Sequence, residues 1–298
     1  MITISVPASS ANIGPGFDSA GVAVSRYLTL HVTKADEWSF THTTPLVPPV
    51  RNYKDHYIYK IAKKVADWHD CELTPCHVTM DSEIPLARGL GSSASAIVAA
   101  IELANQVCEL NLSQDTKLEY AVKIEGHPDN VAACLLGGFV VTVKMGDEAT
   151  YKKLPAIDTD LVVYIPNFEL KTEDARKVLP EGFNMKDAAT ASGVSNLMIS
   201  ALLTGDYELA GKMMESDLFH ETYRAKLIPN YYDIRSNARK LGAYGTVISG
   251  AGPTMISFVP NGKGEEIAKE MQAILPDYEV EALQLDEKGL QVKVNINS

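Results

Sequence analysis

The stretch Pro85-Leu86-Ala87-Arg88-Gly89-Leu90-Gly91-Ser92-Ser93-Ala94-Ser95, which runs on into an apolar segment reaching about Leu110, decides how this chain folds. Gly89 and Gly91 open backbone angles closed to other residues and let an anion come close to the main chain. Ser92 and Ser93 stand where a helix cap belongs, beside N–H groups that have no intrahelical partner. The positive end of a helix dipole points to the same place, so geometry alone would hold a phosphate there. The following residues, Ala94 to Ala104, are apolar almost all round, which predicts a helix sunk in a core. No Gly-Lys-Ser/Thr follows the glycines, so this is not a Walker A loop. A glycine–serine loop that only caps a helix has the same composition, and the remaining sequence must decide between the two.

Upstream, Cys76, Val78 and Met80 alternate with His77, Thr79 and Asp81, a half-exposed strand leading into the loop. Tyr57 to Trp68 carries Ile58, Ile61, Ala62 and Val65 at helical spacing, after a Pro- and His-containing loop over 41–56. Ile2, Ile4 and Val6 alternate in a first strand expected to end at Pro7. Ala8 to Gly21 is dense in small residues and reads as a loop, either a binding loop or a plain one, before a strand over Val22–Thr33. Downstream, Ser113 to Gly126 is a helix with Ser113 as its cap, and His127-Pro-Asp-Asn130 breaks it. Val131–Leu136 resumes apolar, and Phe139–Val143 is a strand.

Gly146-Asp-Glu-Ala149 begins a polar connection and divides the chain into 1–150 and 151–298. In the second part, Leu161–Pro166 is a buried strand. Residues 171–240 are largely helical, broken at Pro180-Glu-Gly182, Gly205-Asp206 and Pro229. Thr246 to Thr254 is a second glycine-rich turn, with Met255–Val259 as the return strand and Gly264–Leu275 as a helix. Val280–Leu285 and Leu290–Ile296 read as a final hairpin across Asp286-Glu-Lys-Gly289. The last strand is a candidate edge for a homodimer, with an ordinary covered edge as the alternative. Strands interleaved with helices in both halves predict a two-domain α+β protein.

The totals narrow the function. A net charge of −11 over 298 residues argues against nucleic acid or an anionic membrane as the main partner, while leaving room for a local basic pocket. Cys71, Cys76, Cys108 and Cys134 lack the spacing of a zinc site or a disulfide framework, so free thiols in a reducing, cytoplasmic setting are expected. Met1 to Pro7 has no basic, apolar leader pattern, and no run of about 18 apolar residues follows.

Three glycine segments then stand in order: Pro7-Ala-Ser-Ser-Ala-Asn-Ile-Gly-Pro-Gly-Phe-Asp18, Gly89-Leu-Gly-Ser-Ser-Ala94 and Ser249-Gly-Ala-Gly-Pro-Thr254. Together they resemble the three signature motifs of the GHMP small-molecule kinases, and the likeness covers nearly the whole chain. Within that family the likeness is to the homoserine-phosphorylating branch. It is carried by Ala11–Asp18, by Gly126-His-Pro-Asp-Asn-Val-Ala132 with Gly137-Gly-Phe139, by Thr172–Pro180 and by Tyr223–Pro229. The resemblance implies an N-terminal domain with a left-handed βαβ unit, a ferredoxin-like C-terminal domain and ATP between them.

It also implies roles. Pro85 to Ser95 would hold the triphosphate, and Ser93 with Glu119 would hold Mg²⁺, with Glu125 as the rival ligand. L-homoserine would meet Arg176 and Arg224 through its carboxylate and Asp18 with Asn12 through its ammonium. Gly250 would also line the substrate site, with His127 and Asn130 near the reacting hydroxyl. Each residue alone has a plain alternative: a turn asparagine, a loop histidine, a surface ion pair, a solvated helix glutamate. Where other branches carry an aspartate base, this sequence has Asn130, and an amide takes no proton at neutral pH. The implied mechanism is positioning and electrostatics, with the proton passing late to the phosphate. One departure stands out. The segment flanking adenine reads Asp55-His-Tyr-Ile-Tyr59, with His56 where an asparagine is usual. The competing readings are a family kinase for another small hydroxy acid and a catalytically silent ligand sensor on the same fold.

Overall fold

Alternating apolar residues and buried small-residue segments build two sheets. The computed structural model describes residues 1–146 and 148–294. Its first part contains β1 (Ile2–Ala11), β2 (Ala20–Lys34), β3 (Ser39–His42), α1 (Tyr57–Trp68), β4 (Cys76–Ser82), α2 (Ser92–Val107), α3 (Gln114–Glu125), α4 (Asp129–Leu136), β5 (Phe139–Met145) and β6 (Glu148–Lys153). The second part runs through β7 (Thr159–Pro166), α5 (Thr172–Lys177), α6 (Met185–Thr204), α7 (Tyr207–Met214), α8 (Glu221–Arg224) and α9 (Tyr231–Lys240). It closes with β8 (Gly245–Ile248), β9 (Met255–Pro260), α10 (Gly264–Ile274), β10 (Tyr278–Leu283) and β11 (Gln291–Val294).

The first sheet has the order β11-β1-β2-β4-β3, with β5 on β2 and β6 on β5. β3 runs parallel to β4 with α1 as the crossover, which makes the βαβ unit. The second sheet, β10-β7-β9-β8, is antiparallel throughout. Its fourth strand lies beside its first, followed by the third and second, the order of a ferredoxin-like β-α-β-β-α-β unit. No helix among the described residues is long and apolar enough to cross a membrane.

α2 is the centre of the first core. Ala94, Ile97, Ala99, Ala100, Leu103 and Ala104 are all fully buried, as the all-round apolar pattern requires. Its one buried carboxylate, Glu102, pairs with Lys117 at 2.6 Å and accepts hydrogen bonds from Asn105 and Gln106, so its charge is compensated.

Three sequence expectations need correction. β1 does not stop at Pro7 but continues to Ala11, after a register shift between Pro7 and Ala8. Ala8, Ser9, Ser10 and Ala11 are fully buried, because α2 and α4 both pack over this strand and leave room only for small side chains. Composition alone cannot distinguish such a strand from a loop. The final hairpin does not form either. β10 pairs with β7 in the second sheet, whereas β11 returns to the first sheet beside β1. Each strand finds its apolar surface in a different sheet, and the part of the expected strand at Asn295 and Ile296 lies outside the described residues. Lastly, Ser92 and Ser93 are not caps. The cap is Gly91, in the left-handed region at φ 69°, and the two serines form the first turn of α2.

Candidate active site

The three glycine segments, far apart in sequence, are tied to one another by short hydrogen bonds. Ser249 Oγ donates to the Gly89 carbonyl at 2.6 Å, and the Thr254 N–H to that of Arg88 at 3.2 Å. The Gly250 N–H donates to the Ala11 carbonyl at 3.0 Å, and Asn12 Nδ2 returns a bond to the Gly250 carbonyl at 2.7 Å. The cleft they enclose is lined by Asn12, Asp18, Ala87, Gly89, Gly91, Ser92, Ser93, Glu125, His127, Asp129, Asn130, Leu170, Thr172, Arg176, Arg224 and Gly250–Gly252.

One end of the cleft suits phosphate. The first backbone N–H of α2 with a helical partner is that of Ser95, which donates to Gly91, so those of Ser92, Ser93 and Ala94 are left for a ligand. Beside them Ser93 Oγ donates to Glu125 Oε2 at 2.9 Å. Glu119, expected as the metal ligand, is not there. It faces other surface cavities with Lys123, Lys144 and Glu148. Six helical residues put Glu119 and Glu125 about 120° apart around the axis and about 9 Å apart along it. Only the last turn, which ends at Gly126 with φ 97°, comes up to the loop.

The other end is polar and charged. Arg176 grips Asp18 with two bonds, Nη2 to Oδ1 at 2.7 Å and Nη1 to Oδ2 at 3.2 Å, both groups being partly exposed. Arg224 is fully buried. Its Nε donates to the Ala175 carbonyl at 3.1 Å and its Nη1 to the Gly250 carbonyl at 3.1 Å and to His220 Nδ1 at 3.3 Å. Among the described residues no carboxylate lies within ion-pair distance of Arg224, and Nη2 has no protein acceptor. Burial, and then the neighbouring Arg176, push its guanidinium down to about 10. The Phe17 ring lies between the two arginines, 5.6 Å from Arg176 and 5.4 Å from Arg224. Sequence reasoning treated the arginines as a pair, whereas the structure gives one a protein partner and leaves the other without one.

Between the two ends sit Asn130 and His127. Cys134 Sγ donates to Ser9 Oγ at 3.3 Å, and Ser9 Oγ to Asn130 Oδ1 at 2.8 Å, which turns the amide nitrogen of Asn130 toward the cleft. His127 Nδ1 bonds Asp129 Oδ1 at 3.1 Å, and this bond raises the imidazole above its usual value. Ser9 and Asp129 thus orient Asn130 and His127. The Ser9 contact spans 121 residues of sequence, and the Asp129 contact, only two residues long, depends on how the turn at the start of α4 points the two side chains.

A second cavity of about 500 Å³, mostly apolar, joins the phosphate end at Ser92 and Ser93. It is lined by Val47, Pro48, Ile58, Met80, Ile84 and Leu86 together with His42, His56 and Tyr57. The model of the GHMP kinases N terminal domain matches residues 56–138, and that of the GHMP kinases C terminal matches residues 198–277. The chain belongs to the GHMP kinases. A homoserine kinase of Oceanobacillus iheyensis is 50% identical over 292 residues, covering 97% of this chain and 98% of that protein. A Listeria monocytogenes protein solved under the provisional name homoserine kinase superposes with a TM-score of 0.86 at 39% identity, covering 99% of this chain and all of that one. The homoserine kinase of Cytophaga hutchinsonii superposes with a TM-score of 0.83 at 27% identity, covering 98% and 97%.

As a GHMP kinase, the chain uses ATP to phosphorylate a hydroxyl group. The apolar cavity beside the phosphate end has the size and lining that a nucleobase needs. The buried His56 is part of its lining, stacked on Phe40 with ring centroids 3.8 Å apart and bonded through Nε2 to His42 Nε2 at 2.9 Å.

Two buried histidines make the stability of this GHMP kinase pH-dependent. Burial pushes His56 and His220 from 6.5 down to about 4. Below the unfolded value the unfolded chain binds protons that the folded one refuses. Their contribution is therefore intact above pH 6.5 and is lost as the pH falls from there toward 4. Urea unfolding across this range checks the expectation. The His56→Phe variant should show a shallower loss than wild type, and an identical slope would mean that His56 titrates normally.

Proposed function

We propose that this GHMP kinase transfers the γ-phosphoryl group of ATP to the side-chain hydroxyl of L-homoserine, giving O-phospho-L-homoserine on the route to threonine. The observation that carries this reading is Arg224: a buried guanidinium fork with no carboxylate partner among the described residues, opening on the cleft that α2 supplies with phosphate-binding N–H groups. A substrate carboxylate completes that charge, and the planar fork suits it. Asp18 retains lone pairs beyond its bonds to Arg176, and with Asn12 it supports an ammonium group. An amino acid with a hydroxyl reaching back toward Asn130 satisfies both ends.

Phosphoryl transfer needs positioning and charge neutralisation more than covalent help. Asn130 offers its Nδ2 as a donor to the hydroxyl oxygen while its Oδ1 accepts from Ser9 Oγ, and as an amide it takes no proton at neutral pH. His127, held by Asp129, lines the same wall. The hydroxyl proton leaves late, to the transferred phosphate. The Ser93 hydroxyl and Glu125 carboxylate form an oxygen donor pair of the kind Mg²⁺ takes together with phosphates and waters. Bound there, the ion would neutralise phosphate charge. The division into a nucleotide-binding part, 1–150, and a C-terminal part, 151–298, belongs to the same proposal, with the boundary falling inside β6 (Glu148–Lys153) and β11 returning to the first sheet.

The test is Mg-ATP-dependent ADP release with L-homoserine, L-serine, L-threonine, mevalonate and galactose. Selective turnover of homoserine is expected, and better turnover of mevalonate or galactose would defeat the substrate assignment. The metal assignment has its own test. Glu125→Gln should lower activity at limiting Mg²⁺ at least about tenfold, with partial recovery at high Mg²⁺. Glu119→Gln should leave it within about twofold of wild type, as surface substitutions do. The reverse ranking would return the role to Glu119.

A further inference from the structure

Among the described residues no carboxylate pairs with Arg224, and His220 stands at the centre of the arrangement that leaves it so. His220 lies at the entry of α8, has no exposed surface, and touches both the first glycine segment and Arg224. Its Nε2 lies 3.0 Å from the Gly14 carbonyl, and its Nδ1 3.3 Å from Arg224 Nη1. A carbonyl only accepts and a guanidinium only donates, so the tautomer is fixed: Nε2 carries the proton and Nδ1 is the acceptor. The imidazole is therefore neutral. Its ring also stacks on Phe17, with centroids 5.4 Å apart.

The charged groups around it are all otherwise engaged. Asp217 is 3.7 Å from His220 Nε2, but its oxygens accept the backbone N–H groups of Phe219, His220 and Glu221. Glu221 turns away to the Tyr231 hydroxyl and the Ile248 N–H. Asp18 is held by Arg176. Among the described residues the hydrogen-bond acceptors of Arg224 are thus all neutral: two backbone carbonyls and one imidazole.

We propose that His220 is the positioning residue of the carboxylate receptor: it fixes Arg224 through an uncharged acceptor, which leaves the guanidinium charge to be neutralised by the substrate. A carboxylate in its place would hold Arg224 as firmly and cancel the charge before substrate arrived. The link from Nε2–H to Gly14 also ties the receptor to the loop that bears Asn12, Phe17 and Asp18. This inference rests on the assignment of L-homoserine as substrate.

Two near-isosteres separate the two bonds of His220. His220→Asn puts an amide oxygen near Nδ1 and keeps the acceptor for Arg224. His220→Gln puts an amide nitrogen near Nε2 and keeps the donor to Gly14. The Gln variant is expected to raise KM for L-homoserine about tenfold, the usual effect of losing a hydrogen bond to a charged group, with kcat and KM for ATP within about twofold of wild type. The Asn variant should recover most of that loss. Equal KM values for wild type and the Gln variant would overturn the inference. So would a loss shared by kcat, both KM values and both variants, since that is the mark of a purely structural role. Failure of wild type itself to turn over homoserine would instead overturn the function, and this inference with it.

Discussion

Arg224→Met is expected to raise KM for L-homoserine by roughly 100-fold while leaving KM for ATP nearly unchanged. Losing one partner of a buried, hydrogen-bonded charge pair costs about 2–5 kcal/mol, and roughly 100-fold corresponds to about 2.7 kcal/mol. Methionine keeps much of the stem volume beside Phe17, so the loss reports the guanidinium. Arg176→Met should do less. Arg176 is partly exposed and already paired with Asp18, so solvent and its partner both screen what it offers a substrate. Steady-state kinetics with each substrate varied in turn distinguishes the two. Equal effects at both arginines would mean that both meet the carboxylate alike, and no effect at Arg224 would move the carboxylate elsewhere.

The second large effect is expected at Gly89. Its φ is 81°, and a Cβ there would lie 2.4 Å from the Ser249 carbonyl oxygen and 2.8 Å from that of Gly252. Those are backbone atoms of the third glycine segment, so no side chain can swing aside. Gly89→Ala therefore adds left-handed strain of about 1–3 kcal/mol and also forces the second and third segments apart. A shift of about 1 Å between groups that position the substrate is enough to cost roughly 100-fold in rate. We expect kcat/KM for ATP to fall by at least that much, with a lower thermal midpoint. Gly193→Ala is the control. It lies inside α6 with nothing within 4 Å of the added Cβ and should be neutral or stabilising by up to about 1 kcal/mol. Wild-type kinetics in the Gly89→Ala variant would show that the segments do not act as one unit.

Much of this architecture was legible in the sequence, and the failures have physical causes. α2 was readable because its apolar residues cover every face, and α3 because Ser113 caps it by accepting from the Thr116 N–H while Gly126 ends it. The three glycine segments could be recognised, but only the fold shows that they bond to one another. The extension of β1 was missed because a strand pressed under two helices must be built from the same small residues as a loop. β11 was misassigned because alternation reports that a strand has a buried face but not which sheet buries it.

The site itself was legible as a set of residue types and less so as a set of pairings. Asn12, Asp18, His127, Asn130, Arg176, Arg224 and Gly250 all line one cleft, as do Gly89, Gly91, Ser92 and Ser93. Glu119 does not, because helical periodicity sets it about 120° from Glu125 without saying which of the two faces meets the glycine loop. The pairing of Asp18 with Arg176 depends on side-chain geometry across 158 residues of sequence, and so does the lack of such a partner for Arg224 among the described residues. His220 left no trace in the sequence, since nothing in a lone histidine before a four-residue helix announces that its neighbours are a carbonyl and a guanidinium.

The most direct test of the central claim is to identify the product by phosphorus–proton correlated NMR after incubating the protein with Mg-ATP and L-homoserine. The account predicts a phosphate monoester coupled to the methylene protons next to the side-chain oxygen, formed in equal amount to ADP. ADP accompanied only by inorganic phosphate, or no ADP at all while ATP still binds, would contradict it.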